Sequence, residues 1–95
     1  MTITNLIGNT PMVQIQHINP NKSVTIYAKL EGQNPGGSVK DRPAYGMIKG
    51  ALDRKEIRRG DRLVEATSGN TGIALAMIAR TLGLEMTLIM TDNST

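Results

Sequence analysis

Twice within 95 residues, a glycine-bearing loop hands an extended-looking segment over to an amphipathic one. The first loop is Asn34-Pro35-Gly36-Gly37-Ser38-Val39-Lys40-Asp41-Arg42. The second is Thr67-Ser68-Gly69-Asn70-Thr71-Gly72. A chain that repeats strand, loop and helix in this order is restricted to a small set of architectures. Successive strands joined by helices favour a parallel sheet with right-handed crossovers. The predicted class is α/β: a parallel sheet with βαβ crossovers, preceded by a short antiparallel β ribbon.

The segments around the loops supply the ribbon and the sheet. Met12 to Ile15 reads as a short strand with Val13 and Ile15 on one face. Val24, Ile26, Ala28 and Leu30 alternate with Thr25, Tyr27 and Lys29, the period of a half-buried strand. Between them, Asn19-Pro20-Asn21-Lys22-Ser23 is dense turn chemistry. A helix is expected from about Lys40, because Pro43 is tolerated only in a first turn. Its buried stripe is Ala44, Met47, Ile48, Ala51 and Leu52. Gly46 and Gly50 weaken that helix, so close packing on a sheet is expected to compensate them. Arg62 to Ala66 reads as a strand, and Gly69 to Leu82 as a second helix with Ile73, Ala74, Met77, Ile78 and Thr81 inward. Gly83 suits the position after that helix. Met86 to Met90 reads as a third strand, followed by loop from Thr91 to Thr95.

Composition removes several classes of function. The chain has two Tyr, no Phe and no Trp, so its core must come from aliphatic side chains. The same scarcity argues against nucleic-acid binding, which draws on aromatic stacking. The net charge of +3 is mild. Most of the excess, in Arg54, Lys55, Arg58, Arg59 and Arg62, reads as a solvated helix end and turn. With zero cysteines, disulfides and thiolate metal sites are excluded, and no metal is expected. The usage fits a cytoplasmic protein. No apolar run approaches the length of a membrane span, and no signal peptide is visible.

The two loops carry the chemistry. The first is not a nucleotide phosphate loop, which needs Gly-Lys-Ser/Thr in direct succession. Gly36-Gly37 instead suggests a backbone that a flat group approaches closely. Lys40 stands at a helix start, where the helix dipole disfavours a cation; the neutral amine is the form that attacks a carbonyl. The second loop opens a helix, whose first N–H groups have no partner inside it and attract anions. An ordinary helix cap made by Ser68 or Asn70 is the plain alternative there. Together, on adjacent strand ends of one sheet, the loops suit a pyridoxal phosphate (PLP) enzyme. The lysine would hold the cofactor as a Schiff base, and the loop would hold an amino-acid carboxylate. His17, the only histidine, lies beside a turn and carries no role. Asp41 and Arg42 are expected to pair with each other or with neighbours.

Three motifs in order also carry a family resemblance. Ile7-Gly8-Asn9-Thr10-Pro11, the lysine loop, and Glu65-Ala66-Thr67-Ser68-Gly69-Asn70-Thr71-Gly72-Ile73-Ala74-Leu75-Ala76 closely resemble cysteine synthase. This is the O-acetylserine sulfhydrylase branch of the β-family (fold type II) of PLP enzymes. Gly-Gly-Ser-Val-Lys-Asp-Arg, Glu65-Ala66 and Asp92-Asn93 lean toward the B type. Cystathionine β-synthase has similar loops and is the nearest alternative. Serine and threonine dehydratases are less similar after the Gly-Asn of the second loop.

The resemblance implies roles and an extent. Lys40 would bind PLP covalently and later act as general base on the substrate α-proton. Asn70 would hydrogen-bond the cofactor ring hydroxyl. Thr67, Ser68, Asn70 and Thr71 would grip the substrate carboxylate. The implied reaction makes L-cysteine from O-acetyl-L-serine and sulfide, or thiosulfate for the B type, in an enzyme that is usually a homodimer. The likeness reaches only the amino-terminal third of the family, an incomplete fold type II fold. Residues 1–34 are expected to pack on a second domain, and residues 35–95 to form part of the small α/β domain carrying the lysine. Val13, Ile15, Ile26 and Leu30 are expected to lack part of their cover. The 95-residue chain alone is expected to bind PLP weakly and to have little or no activity. A non-catalytic remnant or interaction module is the contrasting reading.

Overall fold

The computed structural model describes residues 2–92. Two short 3₁₀ helices, Ile3–Leu6 and Glu31–Gln33, flank a β ribbon of β1 (Met12–Ile15) and β2 (Ile26–Lys29). Helix α1 (Asp41–Asp53), strand β3 (Arg62–Ala66), helix α2 (Asn70–Thr81) and strand β4 (Glu85–Ile89) follow. The α/β class and the antiparallel ribbon are as expected. The loop predicted for residues 93–95 lies outside the described residues.

The ribbon is closed by its own turn. β1 and β2 run antiparallel, with Val13 opposite Ala28 and Ile15 opposite Ile26. The buried Asn19 side chain donates to Val24 O at 2.7 Å and accepts from Asn21 N at 3.1 Å. An asparagine that replaces missing backbone partners in this way is what makes a turn stable. Val13, Ile26 and Leu30 are each about two-fifths exposed (42%, 39% and 41%).

The sheet differs from the expectation in extent. β3 and β4 pair in parallel, with Leu63 beside Met86 and Glu65 beside Leu88, and α2 is the crossover between them. β2 does not join them: it pairs only with β1, in a separate two-stranded sheet. Among the described residues there is therefore one βαβ crossover, not two. The two loops do not follow adjacent strands of one sheet. The hairpin turn brings β1 to one edge of β2, and among the described residues no strand pairs with its other edge.

The core is small and lies mainly between the helices. Ala44 and Ile48 of α1 meet Ala74, Leu75, Ile78 and Ala79 of α2, with Leu84 beneath. Ile7, Leu52, Leu63 and Met86 pack on this cluster. The inward stripes are partly rotated from those predicted. Met47 and Ile73 are more than half exposed, and Thr81 is exposed, whereas Leu75 and Ala79 are buried. Helix α2 is covered on two sides, by α1 and by the sheet, so its buried face spans adjacent positions and not one narrow stripe. The two-stranded sheet is too narrow to cover Met47 as well. Gly46 and Gly50 do not pack on the sheet: nothing lies within 4 Å of a Cβ built at Gly46, and one at Gly50 would meet only the Arg54 side chain.

The amino-terminal segment is tied to α1 by one carboxylate. Glu31 accepts from Arg42 Nε at 2.6 Å and from Thr10 Oγ1 at 2.6 Å. Asn34 Nδ2 donates to Glu31 Oε2 at 3.1 Å, while Asn34 Oδ1 accepts from Gly8 N at 2.8 Å. Arg42 also reaches Gly8 O at 3.0 Å. Arg42 and Asp41 thus pair with neighbours and not with each other. The Arg42 hydrogen bond, helped by Thr10, pulls the Glu31 carboxyl from its ordinary 4.5 down to about 2.

Two outcomes follow for stability. Ile78→Ala empties a fully buried site and should cost about 2–5 kcal/mol, read as a lower urea midpoint. Because the folded-state pKa of Glu31 is depressed, its contribution is complete above about pH 4.5 and is lost as pH falls toward 2. Urea midpoints measured across that window should fall more steeply for the wild type than for Glu31→Gln.

Candidate functional site

The loop after β3 is held at the carboxyl end of the parallel pair. Thr67 N donates to Ile89 O at 3.0 Å, which extends the β3–β4 ladder one step beyond the strands. Thr67 and Ser68, with Ala66, Ile89, Met90 and Thr91, line a hollow of about 220 Å³. Ligands of open α/β sheets collect at this end of the strands. A larger hollow of about 440 Å³ lies beside Arg62, Arg80 and Glu85, at the amino ends of both strands. It is remote from both predicted loops, so size does not decide between the two.

Backbone geometry leaves the start of α2 open. Gly69 precedes the helix at φ 67° and ψ −141°, a region that side chains avoid. This conformation turns the chain sharply from strand to helix. Among the described residues no side chain caps α2, so the plain reading of Ser68 or Asn70 as an ordinary cap does not hold. The first N–H groups of the helix stay available, and they lie at the positive end of its dipole. Asn70 and Thr71 form the first turn. Gly72 is buried close to β4: a Cβ there would stand 3.3 Å from Leu88 Cδ1 and 3.4 Å from Thr67 Cγ2.

Lys40 occupies the matching position on the other helix. It is the residue before α1, with φ −67° and ψ −16°, and it is exposed. Its N–H donates to Ser38 Oγ at 3.1 Å, and its carbonyl accepts from Ala44 N at 3.1 Å. Lys40 does not line the hollow beside Thr67 and Ser68. The structure therefore brings Thr67 and Ser68 together, sets Asn70 and Thr71 in the next turn, and holds Lys40 at the start of the helix packed against α2. His17 is exposed.

Several residues near the lysine receive no role from the motifs that contain or flank them. Thr10, Glu31 and Asn34 form the network described above, and Asn34 is 3% exposed. Asn34 looks like an ordinary loop residue in the sequence. Its signal was its place between a charged 3₁₀ turn and Pro35, where an amide can serve two chain segments at once. Met90 and Thr91 were also missed as lining residues. The parallel register of Ala66 with Ile89 puts them beside Thr67.

Comparison with known proteins identifies the family. The model of a family described as "Pyridoxal-phosphate dependent enzyme" matches residues 3–95. The chain belongs to that family. Cysteine synthase B of Pseudomonas aeruginosa is 60% identical over 94 residues, which are 99% of this chain and 31% of the relative. Cysteine synthase B of Pseudomonas syringae is 59% identical over 93 residues, 98% of this chain and 55% of the relative. A hydrogen sulfide-producing enzyme from Fusobacterium nucleatum superposes with a TM-score of 0.86 at 45% identity, covering 99% of this chain and 31% of that one. The chain thus spans between about a third and about half of the length of these relatives.

The residues present fit the cofactor of a PLP-dependent family. An exposed lysine amine with no ion pair or hydrogen bond among the described residues suits a covalent link to an aldehyde. An uncapped helix start beside two hydroxyls suits a carboxylate. Among the described residues, no group of three or more His, Asp or Glu side chains could hold a metal ion. No helix there is long and apolar enough to cross a membrane.

The backbone of Gly69 yields a stability test. Gly69→Ala forces a side chain into the glycine-only region and should cost about 1–3 kcal/mol in chemical denaturation.

Proposed function

We propose that the protein carrying this chain is a PLP-dependent cysteine synthase of the B type. It makes L-cysteine from O-acetyl-L-serine and sulfide; thiosulfate as a second sulfur nucleophile would displace the same acetate and give S-sulfo-L-cysteine. The observation that carries the reading is the uncapped, glycine-turned start of α2 at the carboxyl end of the parallel strands, in a chain of this family whose relatives include proteins named cysteine synthase B.

PLP supplies, at such a site, an electron sink that lets an α-proton and a β-leaving group depart from a bound amino acid. The chain's own residues have simpler tasks. Lys40 Nζ would hold the cofactor, and its amine, when free, would take the substrate α-proton. Asn70 donates its amide N–H to the cofactor ring oxygen. Thr67, Ser68, Asn70 and Thr71, with the free N–H groups of α2, bind the substrate carboxylate and orient its α-carbon. Loss of acetate and addition of the sulfur nucleophile complete a β-replacement. In the same reading, residues 35–95 belong to the lysine-bearing domain, and residues 1–34 pack on a further domain. The partly exposed Val13, Ile26 and Leu30 support that placement. Two such subunits form the working homodimer, in the cytoplasm.

Borohydride trapping tests the proposal. Protein treated with PLP and then reduced should carry the cofactor on the peptide containing Lys40, with a visible absorption band before reduction. Lys40→Ala should lose both signals. Equal labelling of Lys22, Lys49 or Lys55 in the wild type would overturn the assignment.

A further inference from the structure

Asp41 is an anomaly among the charged residues. It is fully buried, whereas charged side chains seldom are unless they are paired. Its Oδ2 accepts from Gly36 N at 2.6 Å. Its Oδ1 has no hydrogen-bond partner among the described residues. Leaving a buried carboxylate oxygen unpaired is costly. A residue kept on those terms is held there by something other than local stability.

What Asp41 holds is the backbone that carries Lys40. The hydrogen bond to Gly36 closes a ring over residues 36–41, and Lys40 is the last residue before the closing side chain. Other bonds stiffen the ring: Gly37 N to Asn34 O at 2.8 Å, Lys40 N to Ser38 Oγ at 3.1 Å, and Arg42 N to Val39 O at 3.0 Å. Gly36 has no room for a side chain, because a Cβ there would collide with the Asp41 carboxylate. The fit is therefore mutual: the glycine is needed by the aspartate, and the aspartate by the loop. Among the described residues, the Lys40 side chain has no hydrogen-bond or ion-pair partner. Nothing but its backbone then sets where its amine starts from.

We propose that Asp41 is the positioning residue for Lys40, acting through the Gly36 amide. It touches neither cofactor nor substrate. It keeps the lysine backbone in one conformation, so the amine samples a restricted volume in front of the loop instead of sweeping freely. The proposal rests on the reading of Lys40 as the PLP lysine.

The test uses the full-length protein and follows the rate at which the cofactor becomes borohydride-trappable on Lys40. Asp41→Ala should slow this step about tenfold or more, since small misplacements of a reacting group cost orders of magnitude in rate. Asp41→Asn should recover most of the rate, because its amide oxygen can still accept from Gly36. Gly36→Ala, which breaks the same contact from the other side, should match Asp41→Ala. Ile78→Val, a core change remote from the loop, should lower stability and leave the rate unchanged. In the cofactor-free protein, hydrogen exchange at the Gly36 amide should be slow in the wild type and Asp41→Asn, and fast in Asp41→Ala. If Asp41→Ala does not fold, Asp41→Asn and Gly36→Ala decide the matter. Wild-type rates in Gly36→Ala or Asp41→Ala would overturn the proposal, as would an equal slowing in Ile78→Val. Failure of the wild type to label Lys40 at all would instead overturn the functional reading on which it rests.

Discussion

One carboxylate gathers the front half of the molecule. Glu31 sits at the crossing of three segments: the turn at Gly8–Thr10, the loop at Asn34, and the first turn of α1 at Arg42. Ile7 and α1 also meet in the apolar core, but the loop at Asn34 joins them through hydrogen bonds. Hydrogen bonds to a charged acceptor are shorter and stronger than neutral ones, and Arg42 offers its fork of donors to both oxygens. The loop that carries Lys40 is therefore clamped at both ends. Asn34 enters it from the Glu31 network, and Asp41 closes it on Gly36. Each clamp is polar, so the lysine loop owes its shape to hydrogen-bond geometry more than to buried area.

Much of this organisation could be read from the residues. The alternation through Val24–Leu30 and the Asn19–Ser23 turn gave the ribbon. Pro43 located the start of α1 to within a residue, because only a first turn tolerates it. The glycines of Thr67–Gly72 marked a sharp strand-to-helix turn, and Gly69 has the backbone that only glycine adopts readily. What escaped was what depends on non-local geometry. Helical periodicity says that a face is buried but not how many neighbours share it, so the stripe points to Ile73 as inward while the structure buries Leu75. Strand order is likewise absent from a local pattern, and β2 spends its pairing on β1. The Glu31 network joins residues more than twenty positions apart, and no spacing rule reaches that far.

The candidate site shows the same division. Which residue types were present, and which loops held them, was visible in the chain. The uncapped start of α2 and the unpaired oxygen of Asp41 were not, because each is a statement about partners that are missing. Missing partners are what distinguish a loop held ready for a ligand from a loop satisfied by itself.

The alanines of the core carry a consequence for how such a site can change. Ala44 lies one helical turn beyond Lys40, and Ala74 one turn beyond Asn70, and both are fully buried in the same cluster. The gap between the lysine helix and the loop helix is thus gauged by methyl groups, the smallest spacers a side chain provides. Substitution at either position can widen the gap or hollow it, and neither change is gradual. The spacing of the two helix starts is therefore set from inside the core, and not by the exposed hydroxyls and amides of the loops.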